Sequence, residues 1–398
     1  MKILQVHNAY QHLGGEEVVV AAENAMLKHY GHETHQWIVN NSAIKDANAL
    51  TKVNIAIQSV WSHDSYLEMK KQLQGFQPDV VHVHNTIPLI SPSVYAACHS
   101  VGVPVVQTLH NYKFICPGAY LYRDGRVCED CVGKSVRYPS LVHGCYRNSH
   151  AQTAVTVTGQ IAHKLRGTYA NDVDIYIALT RFARQKFIEG GLPAHKIAVK
   201  PNFVSSDIQP GGHTGGYVLF VGKLVQYKGI ETLLQAWHLL DEDIPLKVVG
   251  QGPLEVLFKS NLPSTVEYLG PLPRERVLSL MQEASFIVFP SEWYEGFPMT
   301  IAEAFATANP VVASRLAAMA EIVRDGYSGW HFTPGDAQDL ARTVKLAWSD
   351  PAELRRRGAL ARKQYDDCYS VEKNYHMTIS IYQAAVEWFK ERKGLTVF

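Results

Sequence analysis

The chain holds 398 residues, 46% apolar and 19% charged, which excludes a chain dominated by disorder and divides, at roughly 100–200 residues per domain, into two or three domains. A formal net charge of +1 argues against a general nucleic-acid binder, and no apolar run reaches the ~18 residues that a membrane span needs. The opening MKILQVHNAYQHLGG lacks a basic segment followed by a signal-type apolar core, so the expected location is the cytoplasm.

Apolar, β-rich runs alternate with helical patterns along the whole sequence. Met1–His7 reads as a buried strand, Val18–Tyr30 as a helix and His35–Val39 as a strand. Ser65–Gly75 reads as a helix, Asp79–His84 as a strand, Ser93–Ser100 as a helix and Pro104–Leu109 as a strand. Strands over Asp174–Leu179 and Ile197–Lys200, with a helix over Arg181–Glu189 between them, complete a first half. Strand and helix alternating at this spacing imply βαβ units and a mostly parallel sheet. The Gly- and Pro-rich stretch 207–216 reads as a linker. A second strand series follows at Tyr217–Val221, Leu246–Val249, Val266–Leu269, Phe286–Phe289 and Pro310–Ala313, with helices such as Ile230–Leu240 and Arg274–Glu283 between its members. Apolar residues at helical spacing then run through Asp336–Ala347, Pro351–Tyr365 and Val371–Arg392.

The expected organisation is therefore α/β. A domain at 1–206 carries a Cys-rich loop at 112–147, the linker follows, and a second doubly wound domain spans 217–370. The segment 371–398 holds a further helix. Two doubly wound domains facing across a cleft would place ligands beyond the carboxyl ends of their strands.

The strongest local signal begins where Phe286–Phe289 ends, in FPSEWYEGFPMTIAE. Gly296 allows close backbone approach to a ligand, and Pro298 suits the first position of a helix. A helix start there directs free N–H groups and partial positive charge at an anion such as phosphate. Glu295 precedes the helix and Glu303 lies on its second turn, so one elongated ligand can meet both.

In this stretch the sequence resembles the family-4 retaining glycosyltransferases (glycosyl transferases group 1) of the GT-B fold. Their paired glutamates are matched by Glu295-x7-Glu303. A strand followed by Gly-Arg-Leu and then Lys-Gly is matched by FVGKLVQYKG at Phe220–Gly229, with Lys223 standing where the family usually has Arg. A glycine pair after the first strand is matched by Gly14 and Gly15, and a strand-end histidine by His110. VVGQGP, VEYLGPLP and IVRDGYSGWHF are further family-like stretches.

The resemblance implies a transferase that moves a sugar from a UDP- or GDP-linked donor to a glycan or lipid-linked acceptor, as in bacterial polysaccharide or glycolipid assembly. It implies that the helix within 371–398 crosses back to the first domain, and it implies roles. Glu303 binds the ribose, Glu295 and the backbone of Gly296, Phe297, Pro298 and Met299 hold the donor sugar, and His110 meets the sugar near its reacting carbon. Loops at Gly250 and Leu272 flank the base. Such a transfer must stabilise a diphosphate leaving group. The sequence has no dense Asp cluster for a metal, so Lys223 and Lys228, the Gly14–Gly15 backbone and the helix start at Pro298 are expected to do this, with no catalytic cofactor. Two other functions compete: a nucleotide-sugar epimerase or hydrolase of the same shape, and a nucleotide-sugar binder without activity.

Four of the six cysteines fall in one stretch, Cys116-x11-Cys128-x2-Cys131-x13-Cys145. A structural zinc and a reduced, metal-free set both fit this spacing. His82 and His84 share a strand face without a third ligand nearby in sequence, and His84 with Asn85 is expected at the mouth of the cleft. Glu16 and Glu17 follow the glycine pair, and one of them is expected to cap the next helix. Charge is uneven: residues 110–200 hold 13 Lys and Arg against 6 Asp and Glu. A basic face there can receive an anionic acceptor or rest on the inner face of an anionic membrane; scattered solvated side chains give the same count.

Overall fold

A computed structural model describes the chain except residues 11–13, 42–47, 206, 259–261, 393 and 395–398, and leaves out the side chain of residue 49. The expected end of the first domain, at 206, and the last residues of segment 371–398 lie outside the described residues.

Two units are present. The first comprises Met1–Leu121, Glu129–Pro201 and Tyr375–Phe398, and the second Tyr122–Cys128 and Asn202–Asn374. The division thus falls at Pro201, ahead of the linker read from 207–216, and it assigns seven residues of the Cys-rich loop to the second unit.

The strands in chain order are β1 (Lys2–Ala9), β2 (Glu33–Asn40), β3 (Val80–Asn85), β4 (Val105–Leu109), β5 (Tyr122–Arg123), β6 (Arg126–Val127), β7 (Ile175–Ala178), β8 (Ile197–Val199), β9 (Val218–Val221), β10 (Leu246–Val249), β11 (Val266–Gly270), β12 (Phe286–Phe289), β13 (Val311–Ser314) and β14 (Gly329–Phe332). The first unit holds a parallel sheet in the order β2-β1-β3-β4-β7-β8, and the second a parallel sheet in the order β11-β10-β9-β12-β13-β14. In each, the order reverses beside the first strand of the sheet, which creates the switch point where Rossmann-like sheets hold ligands. Strands buried on both faces read as continuous apolar runs: Val218, Phe220, Val248, Phe286 and Val288 are all but inaccessible and pack on Ile230, Leu233 and Trp237 of the following helix.

Helices at Ala49–Val60, Tyr138–His143, His150–Arg166 and Ala317–Ile322 join those expected. So do β14 and the β5–β6 hairpin, which were not read as strands. Helix Ala49–Val60 leaves Leu50, Val53 and Ile57 largely exposed. The final helix, Val371–Arg392, belongs to the first unit from Tyr375 onward. Tyr375 stacks on Tyr30 with ring centroids 3.7 Å apart, Tyr382 is fully buried, and Arg392 meets Asp174 at 3.2 Å.

Candidate functional site

In the second unit the polar residues gather at the carboxyl ends of β9, β10 and β12. After β9 the chain runs through Gly222 and Lys223 to a tight turn at Gln226–Lys228, and Gly229 opens helix Ile230–Leu239 with φ +70°. A Cβ on Gly229 would lie 1.9 Å from the Pro290 carbonyl oxygen, so only glycine lets the two loops close on each other. Gly250, after β10, has φ +149°, and a Cβ there would meet the Gly222 carbonyl oxygen at 1.8 Å.

That closure brings Lys228 to Glu295. The Lys228 ammonium donates to Glu295 Oε1 at 2.6 Å, and the same oxygen accepts from the Ser291 hydroxyl at 2.7 Å and the Trp293 indole N–H at 2.8 Å. Three donors on one oxygen hold a carboxylate that is only 6% exposed. Lys228 Nζ also lies 5.3 Å from the Phe289 ring centroid, within cation–π range.

Glu303 stands on helix Met299–Ala306, where burial pushes its carboxyl above the usual range, partly offset by Arg274. The Arg274 guanidinium reaches Glu303 Oε1 at 3.0 Å. Pro298 sits one residue before this helix, as its N-cap, rather than at its first position. Phe297 is buried against Tyr369. Met299, Gly296 and Leu272 are half-buried, and Lys223 is exposed. Arg274, Ser291 and Trp293 were not singled out by sequence. Arg274 directly follows VEYLGPLP, and the other two lie inside the glutamate motif, so a search for counter-charges beside Glu295 and Glu303 had the signal to find them.

The first unit carries a second polar group. Gly14 precedes helix Gly15–His29, and Glu17 reaches back to accept from the Gly14 N–H at 2.9 Å and the Tyr10 N–H at 2.8 Å; Glu17 is thus the capping residue. His7 lies 3.7 Å from both Glu16 and Glu17. Burial pushes the Glu16 carboxyl up to about 7, the Lys113 ammonium down to about 8 and the His7 imidazole down to about 4. Lys113 donates to Asn85.

His110 follows β4, half-buried, with Nε2 3.0 Å from His84 Nδ1. His84 and Asn85, expected at the mouth of a cleft, are instead 1% exposed, because β3 is a central strand covered on both faces. Glu23 supplies the third group that the sequence spacing of His82 and His84 did not show. Among the described residues these three form the one set whose possible ligand atoms lie within 4.8 Å of one another.

The cysteines are not gathered into such a set. Cys116 and Cys145 lie near enough to Cys131 to influence its thiol, which burial pushes up to about 11. Cys128 ends the segment counted with the second unit. Among the described residues no three of these thiols come within 4.8 Å of one another.

A model of the glycosyl transferases group 1 matches residues 207–364, and one of Glycosyltransferase Family 4 matches residues 7–208. The chain belongs to the family-4, group 1 glycosyltransferases. An uncharacterized glycosyltransferase of Methanocaldococcus jannaschii is 30% identical over 230 residues, covering 56% of this chain and 64% of that protein. The amylovoran biosynthesis glycosyltransferase AmsK of Erwinia amylovora is 27% identical over 186 residues, covering 42% of this chain and 46% of that protein. An exopolysaccharide phosphotransferase of Streptomyces coelicolor is 31% identical over 202 residues, covering 48% of this chain and only 21% of that protein. The chain thus spans less than two thirds of each of these relatives.

Among solved structures, a glycosyltransferase from Rickettsia africae superposes with a TM-score of 0.70 at 17% identity, over 97% of this chain and 98% of that one. Anabaena HepE, solved with UDP and glucose, gives 0.65 at 16% identity, over 96% of this chain and all of that one. The fold is GT-B, with two Rossmann-like parallel-sheet domains.

Proposed function

We propose that the protein is a retaining glycosyltransferase that moves a sugar from a UDP- or GDP-linked donor to a glycan or lipid-linked acceptor in polysaccharide or glycolipid assembly. The observation that carries this reading is the pair of enclosed glutamates eight positions apart, each held by a cation: Glu295 by Lys228 and Glu303 by Arg274. Breaking the sugar–diphosphate bond puts negative charge on the leaving oxygen and positive charge on the sugar ring. Lys228 is placed to meet the first, and Glu295 the second. Glu303, steadied by Arg274, accepts the ribose hydroxyls, as an acidic residue does in dinucleotide folds.

Glu295 and the Gly296–Met299 backbone hold the donor sugar, and Gly250 and Leu272 flank the base. His110 meets the sugar, and Gly14 and Gly15 meet the diphosphate. Lys223, exposed at the end of β9, adds a second cation. These side chains supply the charge, so no divalent cation is required. The UDP found with Anabaena HepE favours a uridine donor.

No described helix is long and apolar enough to cross a membrane. The exposed Leu50, Val53 and Ile57 on helix Ala49–Val60, with the basic excess of residues 110–200, favour contact of the first unit with an anionic membrane at its inner face.

Thermal unfolding against a panel of nucleotide sugars tests the donor. A ligand at a hundred times its Kd adds about 2.7 kcal/mol to a native state that alone binds it. One donor class should raise the midpoint of the native chain and leave that of Glu303→Ala, which lacks the ribose contact, much less changed. Equal shifts in both proteins would overturn the site.

A further inference from the structure

The buried polar groups behind His110 have no part in the reading above. Glu23, on helix Gly15–His29, is 1% exposed, and its Oε1 accepts from the Lys200 ammonium at 2.5 Å. Its Oε2 faces His84 Nε2 at 3.5 Å and His82 Nδ1 at 3.6 Å. His82 is engaged at both nitrogens, by the Tyr382 hydroxyl and the Thr108 hydroxyl, each at 2.7 Å. His84 Nε2 and Glu23 Oε2 make no hydrogen bond among the described residues, with each other or elsewhere, so their 3.5 Å approach is a charge contact. On its other side His84 Nδ1 meets His110 Nε2, and the two rings stack at 5.3 Å.

Glu23, His82 and His84 have the spacing of a metal site, yet the surroundings oppose a cation. An ammonium already sits on the same carboxylate, and His82 has both nitrogens in use. The placement of protons accounts for the arrangement better. Burial holds the imidazoles of His84 and His110 well below their usual range, so each ring is neutral and carries one N–H. An ion-paired carboxylate only accepts, so the proton of His84 lies on Nε2, toward Glu23. His84 Nδ1 must then accept from His110 Nε2, which leaves the Nδ1 of His110 as an acceptor.

We propose that Glu23 and His84 are positioning residues that lock His110 in its Nε2–H form, so that it offers Nδ1 to a hydroxyl of the transferred sugar. This rests on the reading that His110 meets the donor sugar. The 3.5 Å contact is long, as such contacts often are before substrate binds. An acceptor-only nitrogen selects a sugar bearing a hydroxyl at the facing position over its deoxy analogue.

Two-bond proton–nitrogen spectra of the ¹⁵N-labelled full chain at neutral pH read the tautomer directly. Signals are assigned by their loss in His110→Gln and His84→Gln. The expected result is Nε2–H on both rings, unchanged by EDTA. Nδ1–H on His110, protons on both nitrogens, or a change on chelation would overturn the proposal. Glu23→Gln, which keeps the shape but can turn a donor toward His84, should mix the His110 tautomers. It should also lower kcat/KM about tenfold, followed as nucleoside diphosphate release from whichever nucleotide sugar stabilises the protein. If that variant does not fold, the wild-type spectrum still decides the tautomer. Mixed tautomers with unchanged kcat/KM would remove the positioning role. A locked tautomer in a protein whose His110→Ala variant keeps full activity would overturn instead the placement of His110 at the donor sugar.

Discussion

Lys228 and Glu303 differ in when their contacts matter. Charge on the leaving diphosphate develops mostly in the transition state, so Lys228→Ala should lower kcat on the order of 10²-fold, with a smaller change in donor KM. Glu303 meets ribose hydroxyls that do not react, so Glu303→Ala should mainly raise donor KM, and Arg274→Ala should follow it in kind. Steady-state kinetics with the native donor separates the two patterns; identical effects of Lys228→Ala and Glu303→Ala on both constants would contradict the assigned roles. Glu295 and Glu303 were legible in the sequence because one loop and the helix it opens fix their spacing, and Lys228 because it lies in a family-like stretch of its own, Phe220–Gly229. Arg274 and Glu23 were not, because each reaches its partner from another element, and chain distance says nothing of that approach.

The buried imidazoles also set an acid limit. His82, His84 and His110 sit below their usual range because burial disfavours their charged form. In the unfolded chain they regain the ordinary value of 6.5. Their contribution to stability is full above that pH and is lost as pH falls through the window below it, since unfolding then takes up three protons. The urea midpoint should therefore fall steeply between pH 7 and 5, and less steeply in a His82→Phe variant; equal slopes would show that His82 takes up a proton as readily in the folded protein as in the unfolded chain.

At the scale of elements, the second unit depends on loops that touch through their backbones. Gly229 holds φ +70° against the Pro290 carbonyl. Gly229→Ala adds a left-handed penalty of about 1–2 kcal/mol and a clash that forces the β9 and β12 loops apart. The expected outcome is a lower denaturation midpoint together with loss of nucleotide-sugar stabilisation, and a variant that keeps both would refute the closure. Most strands and helices were readable from apolar runs and their period. β14 escaped because its four residues lie inside a turn-rich motif.

At the scale of the molecule, two measurements bear on the environment of the enzyme. Turnover should survive EDTA, because Lys228 and Lys223 provide the charge; activity lost to chelation and restored by Mg²⁺ or Mn²⁺ would refute this. Sedimentation with vesicles should recover the chain from anionic lipid at low salt and less at high salt. Replacing Leu50 and Ile57 by Ser should weaken that recovery, and equal recovery from neutral vesicles would exclude the charged contact.

The last helix has a consequence for how the chain is made. Tyr382 and Phe389 are buried in the first unit, and the Tyr382 hydroxyl is bonded to His82. The ribosome delivers a chain from its amino end. Here the half synthesised first lacks part of its interior until the final residues emerge, while the later-made unit has all its strands beforehand. The order of completion is thus the reverse of the order of synthesis. A nascent chain stalled before Tyr375 would display an unfinished apolar surface to any chaperone within reach.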